Sequence, residues 1–502
     1  MLSGGVVAGV FVALEYIIKI IAIGVVPENR RPSSSTAWLL LILFLPVVGV
    51  PLFLLLGSPF INRRRARIQK EANELLEKGA ADLPTIPESV TVPPDLRGIV
   101  GLSRSLTALP MVTGTNHGVL SNYEESIDRM TRLVEEARES VNVEIYIMAR
   151  DPATEGFFQA LEDAVVRGVK VRVLLDHIGS RKYPGFRDFL KGMTEAGIEW
   201  QLMLPFQPLR GKMRRIDLRN HRKLLTVDGR VAVMGSQNLI EATYGSKKNA
   251  ELGRRWNDIT IKLTGEIVSS LEAVFAVDWY SETGEVIDIH AYRHVRDEES
   301  LEDHVLPARH GRLPEVGGAD NAVQLIPSGP GFRTDPNLRA FTSLMYMARE
   351  RLAIVSPYFV PDESLLAAVT TAAHRGVHVE LYVSEEADQF MVDRAQSSYY
   401  QALLDAGVRI YLYPAPEVLH TKGFIVDDVC AVMGSSNMDM RSFGLNYEIS
   451  LLAYGGDIVQ QLQQVISDYA ARSSVLDADR WAQRSVVRRY TESVMRLTSA
   501  LQ

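Results

Sequence analysis

"VLHTKGFIVDDVCAVMGSSNMDMRSFGLNYE" spans Val418–Glu448, and "NHRKLLTVDGRVAVMGSQN" spans Asn220–Asn238. Each sets a histidine two positions before a lysine: His420 and Lys422, His221 and Lys223. Each then places an aspartate five after the lysine, Asp427 and Asp228. Gly-Ser-x-Asn follows, as Gly434, Ser435, Asn437 and Gly235, Ser236, Asn238. Side chains alternate along a strand, so each histidine and its lysine are expected on one strand face. A lone His-x-Lys is usually surface decoration, but two copies in register with a longer repeat carry information.

The repeat extends upstream. "VNVEIYIMARD" (Val141–Asp151) answers "LAIVSPYFVPD" (Leu352–Asp362), and "EAGIEWQLMLP" answers "DAGVRIYLYP". Apolar strand runs alternate with amphipathic helical runs, which predicts a duplicated α/β unit. The first half carries an extra piece, "FQPLRGKMRRIDLR", with Arg210, Lys212, Arg214, Arg215 and Arg219 just before His221. Two readings of it stay open, an electrostatic funnel for an anionic substrate and a solvated loop.

The totals fit a globular protein of more than one domain: 502 residues, 46% hydrophobic and 23% charged. A net charge of -7 argues against a general nucleic-acid binder. Cys430 is the sole cysteine, which excludes a disulfide framework. Two apolar segments, Gly5 to Val26 and Ala37 to Gly57, each approach the roughly 20 residues of a spanning helix. Glu15 and Lys19 lie four apart in the first; Pro46 and Pro51 predict a kink or a re-entrant turn in the second. Arg63, Arg64, Arg65, Arg67 and Lys70 follow, outweighing Arg30 and Arg31, so the bulk of the chain is expected on the cytoplasmic side of the cell membrane. At the far end, Val487, Tyr490, Val494, Leu497 and Leu501 recur at helical spacing among Arg488, Arg489 and Arg496. Packing of that stripe against the core is expected ahead of a membrane contact.

A lysine beside each histidine opposes a metal ion and suits phosphate. The paired motifs therefore read as a phosphate cage with two imidazoles, one to attack phosphorus and one to protonate the leaving oxygen. Ser236, Asn238, Ser435 and Asn437 add neutral donors. Glu448, and Asp258 in the first half, are the carboxylates that can accept the ring N–H of the histidine in their own half. Glu251 competes with Asp258. Asp228 and Asp427 belong to the motif, but at strand-end turns ("VDG", "VDD") they read as structural rather than chemical.

These motifs resemble the phospholipase D superfamily, and "GSSNMDMRSFGLNYE", "SPYFVPDESLLAAV", "IPSGPG" and "FAVDWYSETGE" resemble its bacterial cardiolipin synthase branch. The resemblance covers essentially the whole chain. It implies two tandem α/β repeats packed about a pseudo-twofold axis, preceded by an N-terminal transmembrane helical hairpin. It implies a metal-free, cofactor-free transfer through a phosphatidyl-histidine, from one phosphatidylglycerol to another, giving cardiolipin and glycerol. By that resemblance His221 is the nucleophile and His420 the acid and base, with Lys223, Lys422, Asp228 and Asp427 completing the motifs. Tyr358, Asp362 and Ser328 match family patterns near the site. The alternative is a membrane-bound hydrolase, or a transphosphatidylase using another lipid such as phosphatidylethanolamine.

The expected organisation is two membrane helices (1–60), a basic helix and Pro-rich linker (61–110), a first repeat (111–282), a linker or lid (283–320), a second repeat (321–475) and a C-terminal amphipathic helix (476–502). Expected partners are phosphatidylglycerol, cardiolipin and an anionic membrane surface, without nucleic acid; homo-oligomerisation is left open.

Overall fold

The computed structural model describes residues 4–28, 32–57, 63–81, 83–207, 212–213, 215–287, 320–332 and 334–497. Most of the expected linker or lid, 288–319, and Leu501 lie outside the described residues. The chain forms two compact units: Met1–Arg64 with Phe206–Leu218, and Arg65–Pro205 with Arg219–Gln502.

In the first unit, α1 spans Gly4–Val25. The second apolar segment is not one helix. It divides into α2 (Pro32–Phe44) and α3 (Pro46–Leu52), followed by a π-helical turn at Phe53–Gly57. Pro46 lacks the N–H that would continue α2, and Leu45 before it leaves the helical region, with φ -134° and ψ 64°. The chain then doubles back. A Cβ on Gly49 would stand 2.8 Å from the Ile42 Cα, and Trp38 meets Phe53 edge-on at 5.6 Å. At 1.5 Å per residue α2 is about 20 Å long, short of a hydrocarbon core of about 30 Å. Among the described residues no helix is long and apolar enough to cross a membrane. The expected hairpin of two spanning helices is thus corrected in its second member, which turns within itself. The charged stretch after it is helix α4, Arg63–Gly79.

The second unit holds two copies of one strand-and-helix pattern. The first copy contributes β1 (Met111–Leu120), β2 (Ser140–Ile145), β3 (Lys170–Asp176), β4 (Glu199–Met203), β5 (Lys223–Val227), β6 (Val231–Gly235) and β7 (Thr260–Thr264). The second contributes β8 (Asp320–Ser328), β9 (Arg351–Val355), β10 (His378–Ser384), β11 (Arg409–Tyr413), β12 (Gly423–Val426), β13 (Cys430–Gly434) and β14 (Asn446–Tyr454). They lie in one sheet, ordered β11-β10-β9-β12-β13-β14-β8-β1-β7-β6-β5-β2-β3-β4. These fourteen read alike from either end, each strand answering the one seven later, and Ser474–Val475 adds a short strand beyond β11. The halves join where β1 and β8 pair antiparallel, with Met111 opposite Gln324.

Helices cover both faces. The strands therefore read as near-continuous apolar runs rather than alternating ones. Helices α5 (Tyr123–Glu136), α6 (Glu155–Val166) and α7 (Phe186–Glu195) cover one face of the first half. Their Ile127, Phe157 and Phe189 share a core with Leu225 and Val227 of β5. Leu224, pointing the other way, joins a core made by α8 (Ile267–Thr283) and α12 (Gly456–Arg472), one from each half. Helices α9 (Pro336–Met347), α10 (Glu363–His374) and α11 (Phe390–Asp405) close the remaining face.

The last helix, α13 (Val486–Arg496), packs on α11. Its inward side is not the apolar stripe. Buried Glu492 bonds Arg484 at 2.9 Å and Arg488 at 3.0 Å, and Met495 reaches the core. Val487, Tyr490 and Leu497 are exposed and Val494 is half-buried, which corrects the expectation that the stripe packs inward.

Candidate active site

The histidines lie outside the strands, and of the lysines Lys223 is the first residue of β5 while Lys422 immediately precedes β12. Lys223 opens β5, opposite Ile145, whereas Arg219–Asn220 just before His221 pair with Asn446–Tyr447 of the other half. Likewise Val418–Leu419 pair with Trp256–Asn257, across the halves. The backbone N–H of His221 donates to Tyr447 O and that of His420 to Asn257 O, each at 2.8 Å. Each motif thus leaves the sheet at its histidine to lie along the opposite repeat.

The crossing decides the partners. His221 Nδ1 is 2.9 Å from the Ser435 carbonyl and 3.1 Å from Glu448 Oε2, both in the second half. His420 Nδ1 is 2.7 Å from Asp258 Oδ1, in the first half. The expected pairing of each histidine with a carboxylate of its own half is therefore corrected to a crossed one. Both Nδ1 atoms face acceptors, so both carry the proton, and both Nε2 atoms keep a lone pair. Glu251 is exposed on a short helix and makes no such pair. Ser435 Oγ donates to Glu448 at 2.6 Å, and Ser236 Oγ donates to Asp258 at 2.6 Å. A hydroxyl has one proton, so these serines orient carboxylates rather than donate to phosphate, which corrects the expected role. The glycines before them admit a neighbouring strand. A Cβ on Gly434 would stand 2.2 Å from Ile449 O, and one on Gly235 2.1 Å from Ile259 O.

The two lysines are buried with the histidines. Each Nζ donates to the carbonyl of its own motif histidine, at 2.6 Å for Lys223 and 2.5 Å for Lys422. Two N–H donors per ammonium remain for an anion. Burial lowers the pKa of Lys223 well below its ordinary value, and the nearby Lys422 adds to this. Burial brings Lys422 down to about 8 against the pull of Asp258 and Glu448. Burial likewise takes His221 down to about 4 and lowers His420, despite the carboxylates. Burial raises the Asp258 carboxyl, but His420 and Lys422 more than offset it and hold it at about 2. Glu448 is lowered too, as His221 and Lys223 outweigh its burial. The site is thus preset with neutral imidazoles, ionised carboxylates and two desolvated lysines that keep N–H donors for an anion. An anion bound between them raises both lysine pKa values again.

Asp228 and Asp427 are not in this cluster. They stand at the far end of β5 and β12, about six strand residues or ~20 Å from their histidines. Asp228 accepts the N–H groups of Arg138, Glu139 and Ser140 at 2.7 to 2.9 Å. Asp427 does the same for Arg349, Glu350 and Arg351. With φ of 53° and 50° both residues take the left-handed turn that aspartate tolerates. They hold backbone N–H groups at these turns, away from the histidine–lysine cluster. Asn238 holds the site wall: its Oδ1 accepts from Ile147 N at 3.2 Å and its Nδ2 donates to Tyr244 Oη at 2.8 Å. Asn437 is buried, with its backbone N–H on Ser442 Oγ. Tyr358 donates to Asp388 at 2.7 Å, Asp362 caps α10 through Leu365 N, and buried Ser328 offers its carbonyl to Arg222. Of the described members of the basic insertion, Arg215 pairs with Asp217 and buried Arg219 with Asp176, so neither is a bare cation.

Sequence reading passed over three groups. Tyr146 meets His221 edge-on at 4.9 Å and underlies Lys223 Nζ at 5.3 Å. Tyr244 stands 6.4 Å from the His420 ring. Arg222, between the motif residues, points the other way. It pairs with buried Asp278, donates through Nε to the Glu448 carbonyl at 3.1 Å, and lies 5.5 Å from the Tyr447 ring. Arg222 stands between two motif residues and so turns to the opposite side, and a charge there was the available signal.

The tandem fold and the shared histidine–lysine cluster are those of the phospholipase D superfamily. The family description "Cardiolipin synthase, PLD-like domain" matches residues 130–279 and 341–469, and "Phospholipase D-nuclease N-terminal" matches 16–58. Cardiolipin synthase A of Yersinia pseudotuberculosis serotype IB (strain PB1/+) is 32% identical over 496 residues, 96% of this chain and 95% of that protein. Cardiolipin synthase A of Yersinia pestis matches to the same extent. The crystal structure of a phosphatidylserine synthase from Haemophilus influenzae Rd KW20 has the same fold, with a TM-score of 0.59 at 14% identity, covering 82% of this chain and 100% of that one. The chain belongs to the cardiolipin synthase family of phospholipase D-like enzymes.

Proposed function

We propose that the chain makes cardiolipin by transferring a phosphatidyl group from one phosphatidylglycerol to another. The observation that carries this is the pair of crossed histidine–carboxylate contacts around two buried lysines. The ammonium groups hold the phosphodiester oxygens and neutralise the charge that grows on them in each transition state. His420 takes up a proton on Nε2 as the phosphodiester anion binds, and Asp258 holds the imidazolium. His221 Nε2 then attacks phosphorus, the bond to the glycerol oxygen breaks, and His420 gives that oxygen its Nε2 proton. The second phosphatidylglycerol then yields a hydroxyl proton to His420, its oxygen attacks phosphorus, and the P–N bond breaks to free His221. The geometry supports this division of roles. The tight 2.7 Å contact to Asp258 suits the ring that must carry positive charge. The shared, longer contacts of His221 suit a ring that starts neutral.

The palindromic strand order supports two repeats about a pseudo-twofold axis, with one site between them. We assign membrane attachment to the N-terminal unit, whose exposed Ile20, Phe44 and Val47 present apolar surface, with 32–57 as a re-entrant segment and the body on the cytoplasmic side. The test is chromatography of the lipids formed by the purified protein from labelled phosphatidylglycerol. Cardiolipin with glycerol is expected; phosphatidic acid alone would refute transfer in favour of hydrolysis.

A further inference from the structure

We propose that exposed apolar side chains at the start of α11 and along α13 form a lip that seats the catalytic body on an anionic phospholipid bilayer. The inference rests on the phosphatidyl-transfer reading, in which a headgroup must reach the two lysines while its acyl chains stay in lipid. Beyond residue 100 the described chain exposes twelve large hydrophobic side chains. Five are in these two packed helices, Phe390, Met391, Val486, Val487 and Tyr490, and a sixth, Leu497, directly follows α13. The other six are spread singly over the body. A cluster of this kind marks an interaction surface, whereas scattered ones do not.

Its place in the fold ties it to the site. Asp388 and Gln389, immediately before Phe390, bond the Tyr358 hydroxyl at 2.7 and 3.0 Å. Asp388 also lies within electrostatic reach of Lys422. The lip thus begins at the rim of the phosphate-binding cluster. The charge of α13 fits an anionic lipid surface, whereas Glu385 and Glu386 are exposed ahead of Phe390. Arg489 and Arg496 are exposed beside the apolar side chains, while the acidic residue of α13, Glu492, is buried between Arg484 and Arg488. The guanidinium of Arg496 covers the Tyr399 ring at 4.5 Å, fixing α13 to α11. Apolar side chains beside arginines on one helix face are the pattern of a helix lying in a bilayer interface.

The test compares full-length wild type with Phe390→Ser/Met391→Ser and Val487→Ser/Tyr490→Ser proteins. All four positions are exposed, so the fold should tolerate these changes. Activity is measured on phosphatidylglycerol in vesicles and on dihexanoyl phosphatidylglycerol dissolved as a monomer. On vesicles KM should rise about tenfold with kcat kept, the scale of losing one buried apolar side chain. On the monomer kcat/KM should stay within about twofold, as expected for exposed positions outside the chemistry. Equal loss on both substrates, or no loss on vesicles, overturns the lip. A shift in oligomer size with unchanged vesicle kinetics assigns the face to a second copy and also overturns it. A wild type that forms only phosphatidic acid would refute the transfer reading instead, and the ratio between the two substrates would still report on the lip. A fluorophore on Met391→Cys gives a direct readout, because Cys430, the only native cysteine, is buried. Its emission should shift to the blue in phosphatidylglycerol nanodiscs more than in phosphatidylcholine ones. Identical emission in the two overturns the charge-assisted docking.

Discussion

Replacing Asp258 by Asn separates the tasks of the two histidines. The carboxylate is fully buried and meets His420 Nδ1 at 2.7 Å. When His420 becomes an imidazolium, its charge centre is about 4 Å from that of the carboxylate. At an effective dielectric of about 20 the attraction is about 4 kcal/mol. An amide keeps the size of the group and the bond from Ser236 but loses that charge, so kcat on phosphatidylglycerol should fall about 1000-fold. A donor with a leaving group that needs no proton should escape most of the loss. The assay is the burst of p-nitrophenol from phosphatidyl-p-nitrophenol, expected to slow less than about tenfold. Glu448→Gln acts on the nucleophile instead, with the Ser435 carbonyl still holding His221 Nδ1–H at 2.9 Å. It should slow both donors by one factor. If Asp258→Asn slows the aryl donor as much as phosphatidylglycerol, the acid role of His420 is refuted. If Glu448→Gln is the selective variant, the roles are reversed.

Three further outcomes are expected. Lys422 sits at about 8, and an anion binds its protonated form, so binding is complete below that pH and lost above it. KM should rise by about tenfold per pH unit above 8 while kcat changes little, and a KM that is flat to pH 9.5 would contradict an ammonium cage. Asp228→Ala and Asp427→Ala each remove an acceptor of three backbone N–H groups. Chemical denaturation should give a loss of about 1–2 kcal/mol, like that of a helix cap, with kcat within about twofold; a collapse of kcat in soluble, folded protein would restore them to the chemistry. Arg222→Met strands buried Asp278 and should cost about 3–5 kcal/mol, whereas Arg222→Met/Asp278→Leu should recover most of it. Equal instability of the single and double variants would show that the clamp works through the Glu448 carbonyl alone.

The duplicated α/β unit was readable because strand runs and motifs recur in register, and the buried strands leave few other arrangements for "KLLTV" and "GFIV". The histidines and lysines were readable as a pair of pairs. The crossing was not. Spacing along a chain carries no sign of which half a side chain will meet, and the two-residue bridges at Arg219–Asn220 and Val418–Leu419 are too short to leave a periodic signature. Tyr146 was missed because it stands where a core strand residue would. The turn within 32–57 was visible in Pro46 only as an alternative, since an apolar run has the same composition whether it continues or doubles back. The outward stripe of α13 was misjudged because helical spacing gives a face without saying which way it turns. There the arginine pairs on Glu492 take the inward side.

The crossed contacts also bear on how such a chain is inherited. Each histidine depends on a carboxylate 227 or 162 positions away, in the other copy of the repeat. A one-repeat ancestor would have had to lend that carboxylate to a second molecule of itself. Once the two copies share a chain the loan is internal, and the copies can drift apart where they do not exchange. They have done so at the residue between histidine and lysine, Arg222 clamped to Asp278 in one copy and Thr421 bonded to Tyr469 at 2.7 Å in the other. Neither copy, however, can decay into a mere scaffold for its sister, because loss of the carboxylate of either one disarms the histidine of the other.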